Sequence, residues 1–91
     1  MEFRWNEWNL DHVPKHGVTP DEAEFVVRHA KLPYPRRHGE DKWLVWGRGN
    51  GGRFVQVVFV VGDDDTVYII HAKPLTEREK QRYRRRKRRH R

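Results

Sequence analysis

Four cationic side chains stand at the ends of predicted β-strands in the second half of the chain. Arg48 ends one strand, Arg53 begins the next, and His71 and Lys73 lie near the end of a third. A histidine exchanges a proton near neutral pH, and arginine and lysine bind phosphate oxygens. Together they would suit metal-independent RNA cleavage, in which the ribose 2′-hydroxyl attacks the adjacent phosphorus and fixed cations stabilise the developing charge.

Each of these residues also has a structural interpretation. A histidine in a strand beside aliphatic neighbours is more often packed and hydrogen-bonded than catalytic, and arginines that flank a turn are ordinarily solvated. The catalytic interpretation therefore depends on all four cations converging at one end of one sheet face.

The sheet that must position these residues is predicted from three apolar segments. They cover about residues 42–48, 53–61 and 66–73, and the connections between them are rich in glycine and aspartate. Such short connections favour an antiparallel meander. The expected register pairs Val61 with Val67, Val57 with His71, Val55 with Lys73, Trp46 with Val55, and Arg48 with Arg53. This register places the four cations at one rim and turns Trp43, Val45, Phe54 and Val58 toward the helices.

Two helices are predicted between an N-terminal strand and the meander. Residues 1–5 alternate as a short strand does. Asn9 is the expected cap of a brief helix that ends at Gly17, and Thr19-Pro20-Asp21-Glu22 is a capping-box start for a second helix. Residues 32–40 are predicted to form a loop. The expected fold is α+β, in the order β-α-α-β-β-β-α, with two helices on one face of a small antiparallel sheet.

A last helix is predicted from Thr76 onward by a second capping-box pattern. It offers little that is apolar beyond Leu75 and Tyr83, so its far end is expected to fray. The residues expected to contact RNA are Trp46, whose indole would stack on a base, and Arg78, Arg82, Tyr83 and Arg85. The alternative for Trp46 is that it only fills the core.

The composition and charge restrict the function further. The 91 residues, 35% hydrophobic and 36% charged, suffice for one small domain, predicted at residues 1–83 with a basic tail at 84–91. Residues 1–72 hold nine Lys and Arg against eleven Asp and Glu, whereas residues 73–91 hold eleven against two. A basic end on a slightly acidic body favours a polyanionic partner, nucleic acid first, and the alternative is a solvated run of charge.

Several classes of protein do not fit this sequence. Without cysteine there is no disulfide and no thiol nucleophile. No apolar run approaches the roughly 20 residues of a membrane span and no secretory signal is visible, so we expect a cytoplasmic protein without membrane contact. His12 and His16 are spaced as two helical metal ligands, but no third ligand is apparent, and we expect no metal and no cofactor.

The order and spacing of these motifs resemble the BrnT family of toxin-like proteins. The matching residues are Trp5-Asn6, Asn9, His16-Gly17-Val18-Thr19, Glu22-Ala23, Gly47-Arg48, Gly52-Arg53, Ile69-Ile70-His71-Ala72-Lys73, Thr76, Glu79 and Tyr83. The resemblance spans most of residues 1–83. One departure is that many members read Ser-Ala-Arg where this chain has His71-Ala72-Lys73, which replaces a forked arginine donor with a point charge.

The resemblance implies a compact relative of the RelE ribonuclease toxins, with Arg48, Arg53, Lys73, Glu79 and Tyr83 at positions of the family pattern. It also implies a cognate antitoxin of the ribbon-helix-helix type that neutralises the protein, so that DNA is contacted only through the antitoxin. Two functions stay open at this point. One is an endoribonuclease that cleaves RNA, and the other is a non-catalytic module of the same fold that binds nucleic acid or a protein.

Overall fold

The computed structural model describes residues 1–89 and contains, within them, three α-helices and a four-stranded antiparallel sheet. The helices are α1 (Glu7–His12), α2 (Pro20–Arg28) and α3 (Glu77–Arg89), and a 3-10 helical turn covers Val13–His16. The strands are β1 (Arg36–Arg37), β2 (Trp43–Arg48), β3 (Phe54–Val61) and β4 (Val67–Pro74), in that order across the sheet. The predicted α+β class is confirmed. His90 and Arg91, the end of the predicted tail, lie outside the described residues.

Helix α1 begins at Asn6, not at Asn9 as the sequence pattern predicted. The Asn6 side-chain oxygen accepts hydrogen bonds from the backbone N–H groups of Trp8 at 3.0 Å and Asn9 at 3.3 Å. Asn9 lies one turn later and is fully buried, and its amide donates to the carbonyls of Arg4 and Ile69. Asn9 was misassigned because both asparagines suit a cap, and burial gives the second one a role in joining α1 to the sheet.

Helix α2 begins where the sequence predicts. The Thr19 hydroxyl accepts from the backbone N–H of Glu22 at 3.1 Å, and Pro20 occupies the first helical turn. Glu22 does not reach back to complete the capping box, because its carboxylate binds the Arg53 guanidinium. Ala23 and Val26 are buried on the stripe that faces the sheet, as predicted.

The strand boundaries agree with the prediction to within one residue, but the register of the first hairpin differs by one position. Arg48 pairs with Phe54 rather than with Arg53. The turn is a three-residue loop in which Gly52 adopts a φ of 96°, and Gly49 donates to the Arg53 carbonyl at 2.8 Å. A shift of one residue turns a whole strand over, so Phe54 and its same-face neighbours lie away from α1 and α2, contrary to the prediction.

The second hairpin keeps the predicted register at first and then loses it at a β-bulge. Val61 pairs with Val67 as expected, but the pairing shifts between Val58 and Phe59. As a result His71 lies opposite Val58 instead of Val57. The bulge places one extra residue in β4, and a strict alternation of apolar and polar residues cannot reveal such an insertion.

Two further corrections concern the edges of the sheet. The segment predicted as a loop, residues 32–40, contains β1, which pairs with β2 at Trp43 and Leu44. The predicted N-terminal strand is reduced to one parallel bridge between Phe3 and Val67. The sheet therefore gains a short strand at one edge and has only this bridge in place of a strand at the other.

Different helices cover the two faces of the sheet. The face toward α1, the 3-10 turn and α2 presents the fully buried side chains of Val45, Val55, Val57 and Ile69. Helix α3 packs on the other face, where the rings of Tyr83 and Phe54 have centroids 5.3 Å apart. None of the helices within residues 1–89 combines the length and the apolar character that a membrane crossing requires.

Candidate functional site

A hollow of about 270 Å³ lies on the sheet face that α3 partly covers, between β1, the middle of the sheet and α3. We call it the basic hollow. Its lining residues are Arg36, Arg37, His38, Leu44, Trp46, Gln56, Glu79, Arg82 and Arg86. Four arginines and one histidine face a single carboxylate, so the hollow favours anions.

Aromatic contacts position α3 so that its arginines reach the basic hollow. Tyr83 packs on Phe54, and the helical period brings Arg82 and Arg86 over the Trp46 ring, 5.4 and 4.7 Å from its centroid. Burial raises the pKa of the Tyr83 hydroxyl, which stays protonated at neutral pH. The two guanidinium groups are therefore held at the wall of the hollow by packing.

His71 lies on the same sheet face as the basic hollow. The strand pairing places it in one row with Leu44, which lines the hollow. Because β4 is an edge strand, the His71 ring also reaches the 3-10 turn, where it meets the His16 ring edge-on with centroids 5.6 Å apart. Burial lowers the pKa of His71 below its ordinary 6.5, and the positive charges of His16, Lys73 and His38 lower it further. The imidazole is consequently neutral at pH 7, which is the form that accepts a proton.

Lys73 also lies on this face, but its charge is matched by a carboxylate. Its ammonium group donates to the Glu79 carboxylate at 2.5 Å, and the same oxygen accepts from the Thr76 backbone N–H at 2.8 Å. Burial raises the pKa of Glu79, but the hydrogen bonds from Lys73 and Thr76 outweigh it and hold the pKa below its ordinary 4.5. Lys73 therefore joins β4 to the start of α3, and its ammonium group is paired with Glu79 instead of being available to bind a phosphate.

Arg53 is not in the site at all. Its guanidinium binds both oxygens of Glu22, at 3.0 and 2.8 Å, and donates to the Gly17 carbonyl at 2.7 Å. Glu22 is only 7% exposed, so this ion pair joins the first hairpin to the start of α2 in a partly buried position. The predicted convergence of four cations is wrong, because the register shift and this carboxylate turn Arg53 toward α2.

Arg48 is also separated from His71. It is exposed at the end of β2, with its guanidinium 4.5 Å above the Phe54 ring and donating to the Gly52 carbonyl at 2.9 Å. Arg48 pairs with Phe54, whereas His71 pairs with Val58, four residues further along β3. At about 3.3 Å per residue, roughly 13 Å along the strands lie between them.

Trp46 is a core residue in this structure. It is 4% exposed, its indole N–H donates to the Gln56 side chain at 2.8 Å, and its ring centroid lies 6.2 Å from that of Tyr34. Arg82 and Arg86 cover the ring from α3. The structure therefore supports the core interpretation and leaves no ring face free to stack on a base.

The other predicted RNA contacts lie along α3. Tyr83 packs on Phe54 and Arg82 reaches over the Trp46 ring. Arg82 is nevertheless exposed, as Arg78 and Arg85 are. Helix α3 runs to Arg89, so the part of the predicted tail that the structure describes is helical rather than frayed. Arg78, Arg85 and Arg88 are exposed at helical spacing, and we call them the outer arginine stripe.

The sequence did not identify three residues of the hollow, two in β1 and one directly after it. Arg36, Arg37 and His38 are adjacent in a segment that was interpreted as a loop. Their consecutive positive charges were a usable signal of a polyanion surface. Arg86 was missed because its role follows from spacing, four residues after Arg82 on the same side of α3.

His12 and His16, which are spaced as two helical metal ligands, make separate ring contacts. The His12 ring stacks on Trp8, whereas His16 meets His71. Within residues 1–89, no three of the side chains that bind metals are grouped closely enough to hold an ion.

Searches against protein families, curated proteins and solved structures find no match to this chain. The protein is therefore classified here by its fold and its candidate site alone. It is a small α+β protein with a basic hollow between a four-stranded antiparallel sheet and an arginine-rich helix.

Proposed function

We propose that this protein is a toxin-like, metal-independent endoribonuclease that binds RNA in the basic hollow. The predicted cluster of four cations does not form, so the proposal rests on a different set of residues. Arg36, His38, Arg82 and Arg86 line the hollow, and His71 lies beside the hollow on the same sheet face. The resemblance to the BrnT family agrees with this function. The proposal includes a DNA-binding antitoxin as protein partner and a cytoplasmic location.

In the proposed reaction, His71 accepts the proton of a ribose 2′-hydroxyl as its oxygen attacks the neighbouring phosphorus. The bond from phosphorus to the next nucleotide's 5′-oxygen breaks and that oxygen takes a proton from solvent, which leaves a 2′,3′-cyclic phosphate and a 5′-hydroxyl. The guanidinium groups of Arg82 and Arg86 stabilise charge on the phosphoryl oxygens. Arg53 has no part in this proposal, because Glu22 already satisfies it.

The test is cleavage of a labelled single-stranded RNA by the full chain in the presence of EDTA. His71→Gln removes the proton acceptor but keeps a polar side chain, and we expect a loss of rate of at least about 100-fold. His29→Gln is the matched control, because His29 is exposed and its ring stacks on Phe25 at the end of α2. A native chain that cleaves neither free RNA nor ribosome-bound RNA would refute the proposal.

A second candidate is a non-catalytic module that binds RNA by charge. The outer arginine stripe favours it, because Arg78, Arg85 and Arg88 are exposed and make no salt bridge with any other described residue. Neutralising the three arginines is expected to reduce the slope of log affinity against log salt by about one per residue. A pure binder would lose most of its affinity, whereas the proposed enzyme would keep turnover at saturating RNA.

A further inference from the structure

Four of the six residues of β2 have no partner strand on its outer edge within the part of the chain that the structure describes. Strand β1 pairs with β2 only at Trp43 and Leu44, and no strand within residues 1–89 pairs with the remaining part, Val45–Arg48, on that side. The Gly49 N–H donates to the Arg53 carbonyl across the hairpin. In an antiparallel ladder the neighbouring residue then directs its peptide groups the other way, so the N–H and C=O of Arg48 point outward.

A cleft of about 970 Å³ lies along this open edge. The end of α2 forms one wall with Phe25, and the C-terminal half of α3 forms the other with Tyr83. Gly47 and Gly49 of the β2 edge also line the cleft. The lysines and arginines that line the cleft are Lys31, Arg48, Arg84, Lys87 and Arg88, and His29 lies among them.

We propose that this edge accepts an extended, acidic segment of a partner protein, which adds to the sheet as a short strand beside β2. The outward peptide groups of Arg48 supply the backbone hydrogen bonds, and the cleft receives the segment's apolar side chains. Among the described residues, none that lines the cleft carries a carboxylate, so the lysines and arginines there are complemented by acidic residues of the partner. This proposal does not depend on RNA cleavage.

A single-stranded RNA fits this cleft less well, because Phe25 and Phe54, which line it, each already have a ring face in contact with another side chain. The Phe54 ring lies under Arg48 and beside Tyr83, and the Phe25 ring is stacked on His29 with centroids 4.0 Å apart. Bases bind single-strand proteins chiefly by stacking on free aromatic faces. A nucleotide chain also lacks the alternating N–H and C=O groups that complement a strand edge.

The experiment uses the full chain and a labelled, blocked peptide of alternating valine and glutamate, about eight residues long. We expect binding with slowed hydrogen exchange of the Arg48 amide. The same peptide with lysine in place of glutamate is expected to bind at least about tenfold more weakly. Arg48→Pro removes the outward N–H, which an edge strand tolerates, and is expected to weaken binding about tenfold. Arg48→Ala keeps the N–H and is expected to weaken it by no more than about threefold.

A second pair of variants tests the charge around the cleft. Lys87→Glu is expected to weaken peptide binding, whereas Arg78→Glu, at a residue that does not line the cleft, leaves it unchanged. The proposal is overturned if Arg48→Pro binds the peptide as the native chain does, or if oligouridylate rather than the peptide protects the Arg48 amide. If the native chain forms a dimer in which the Arg48 amide is already protected, the edge of β2 binds a second copy of the chain, and the proposal is overturned as well.

Discussion

Replacing Arg53 by alanine is expected to destabilise the fold and leave the proposed RNA site intact. Arg53 binds both oxygens of Glu22 and the carbonyl of Gly17, and thereby joins the β2–β3 hairpin to the start of α2. Alanine would remove the cation and leave the Glu22 carboxylate without its partner. A catalytic Arg53 would give the opposite result, with activity lost and stability kept.

The expected size of the effect follows from the exposure of the two partners. Removing one partner of a buried ion pair costs roughly 3–5 kcal/mol. Glu22 is only 7% exposed, but the Arg53 side chain is 46% exposed, so water screens part of the interaction. We therefore expect the free energy of unfolding to fall by about 2 kcal/mol. In a domain of this size, that corresponds to a decrease in Tm of about 8–16 °C.

The measurement is urea unfolding followed by tryptophan fluorescence, with RNA cleavage assayed on the same preparations. The double variant Arg53→Ala, Glu22→Ala removes the unpaired carboxylate as well, and we expect it to recover part of the lost stability. A single Arg53→Ala variant that unfolds like the native chain but no longer cleaves RNA would show that the ion pair is not the role of this residue.

Three more predictions concern other contacts. Gly49→Ala is expected to lower the free energy of unfolding by about 1–2 kcal/mol, because the new Cβ would lie 2.6 Å from the Glu22 carboxylate. Gly51→Ala is the matched control in the same urea titrations, because its Cβ would meet no atom within 4 Å. The lowered pKa of His71 means that protonation favours the unfolded chain, so stability falls as the pH drops through 6.5, and His71→Gln is expected to flatten this part of the curve. The lowered pKa of Glu79 gives stability that is present above pH 4.5 and lost as the pH falls through the folded-state pKa, and Glu79→Gln is expected to remove that loss in acid unfolding curves.

The local elements of this fold were predictable because their signals are local. The start of α2 follows from Thr19 and Pro20, and the three long strands follow from apolar segments bounded by glycine and aspartate. The pairing of those strands was not predictable in the same way. It depends on a positive φ at Gly52 and on a bulge in β4, and neither leaves a distinct pattern in one sequence.

The candidate site was only partly predictable for the same reason. His71 and Arg82 were named from the sequence and do lie on the face with the basic hollow. The error at Arg53 came from treating every cation near the turn as available, although Glu22, its partner, lies 31 residues earlier in the chain. Long-range ion pairs of this kind are decided by the tertiary fold and have no counterpart in local spacing.

Helix α3 responds to dissolved ions in two opposing ways. Nine of its thirteen residues are Lys or Arg, so like charges repel each other between successive helical turns. At low salt concentration this repulsion disfavours the helical conformation. Counterions screen that repulsion and stabilise the helix. The same ions compete with a polyanion for the exposed guanidinium groups. Circular dichroism and RNA affinity, followed along one salt gradient, are therefore expected to change in opposite directions.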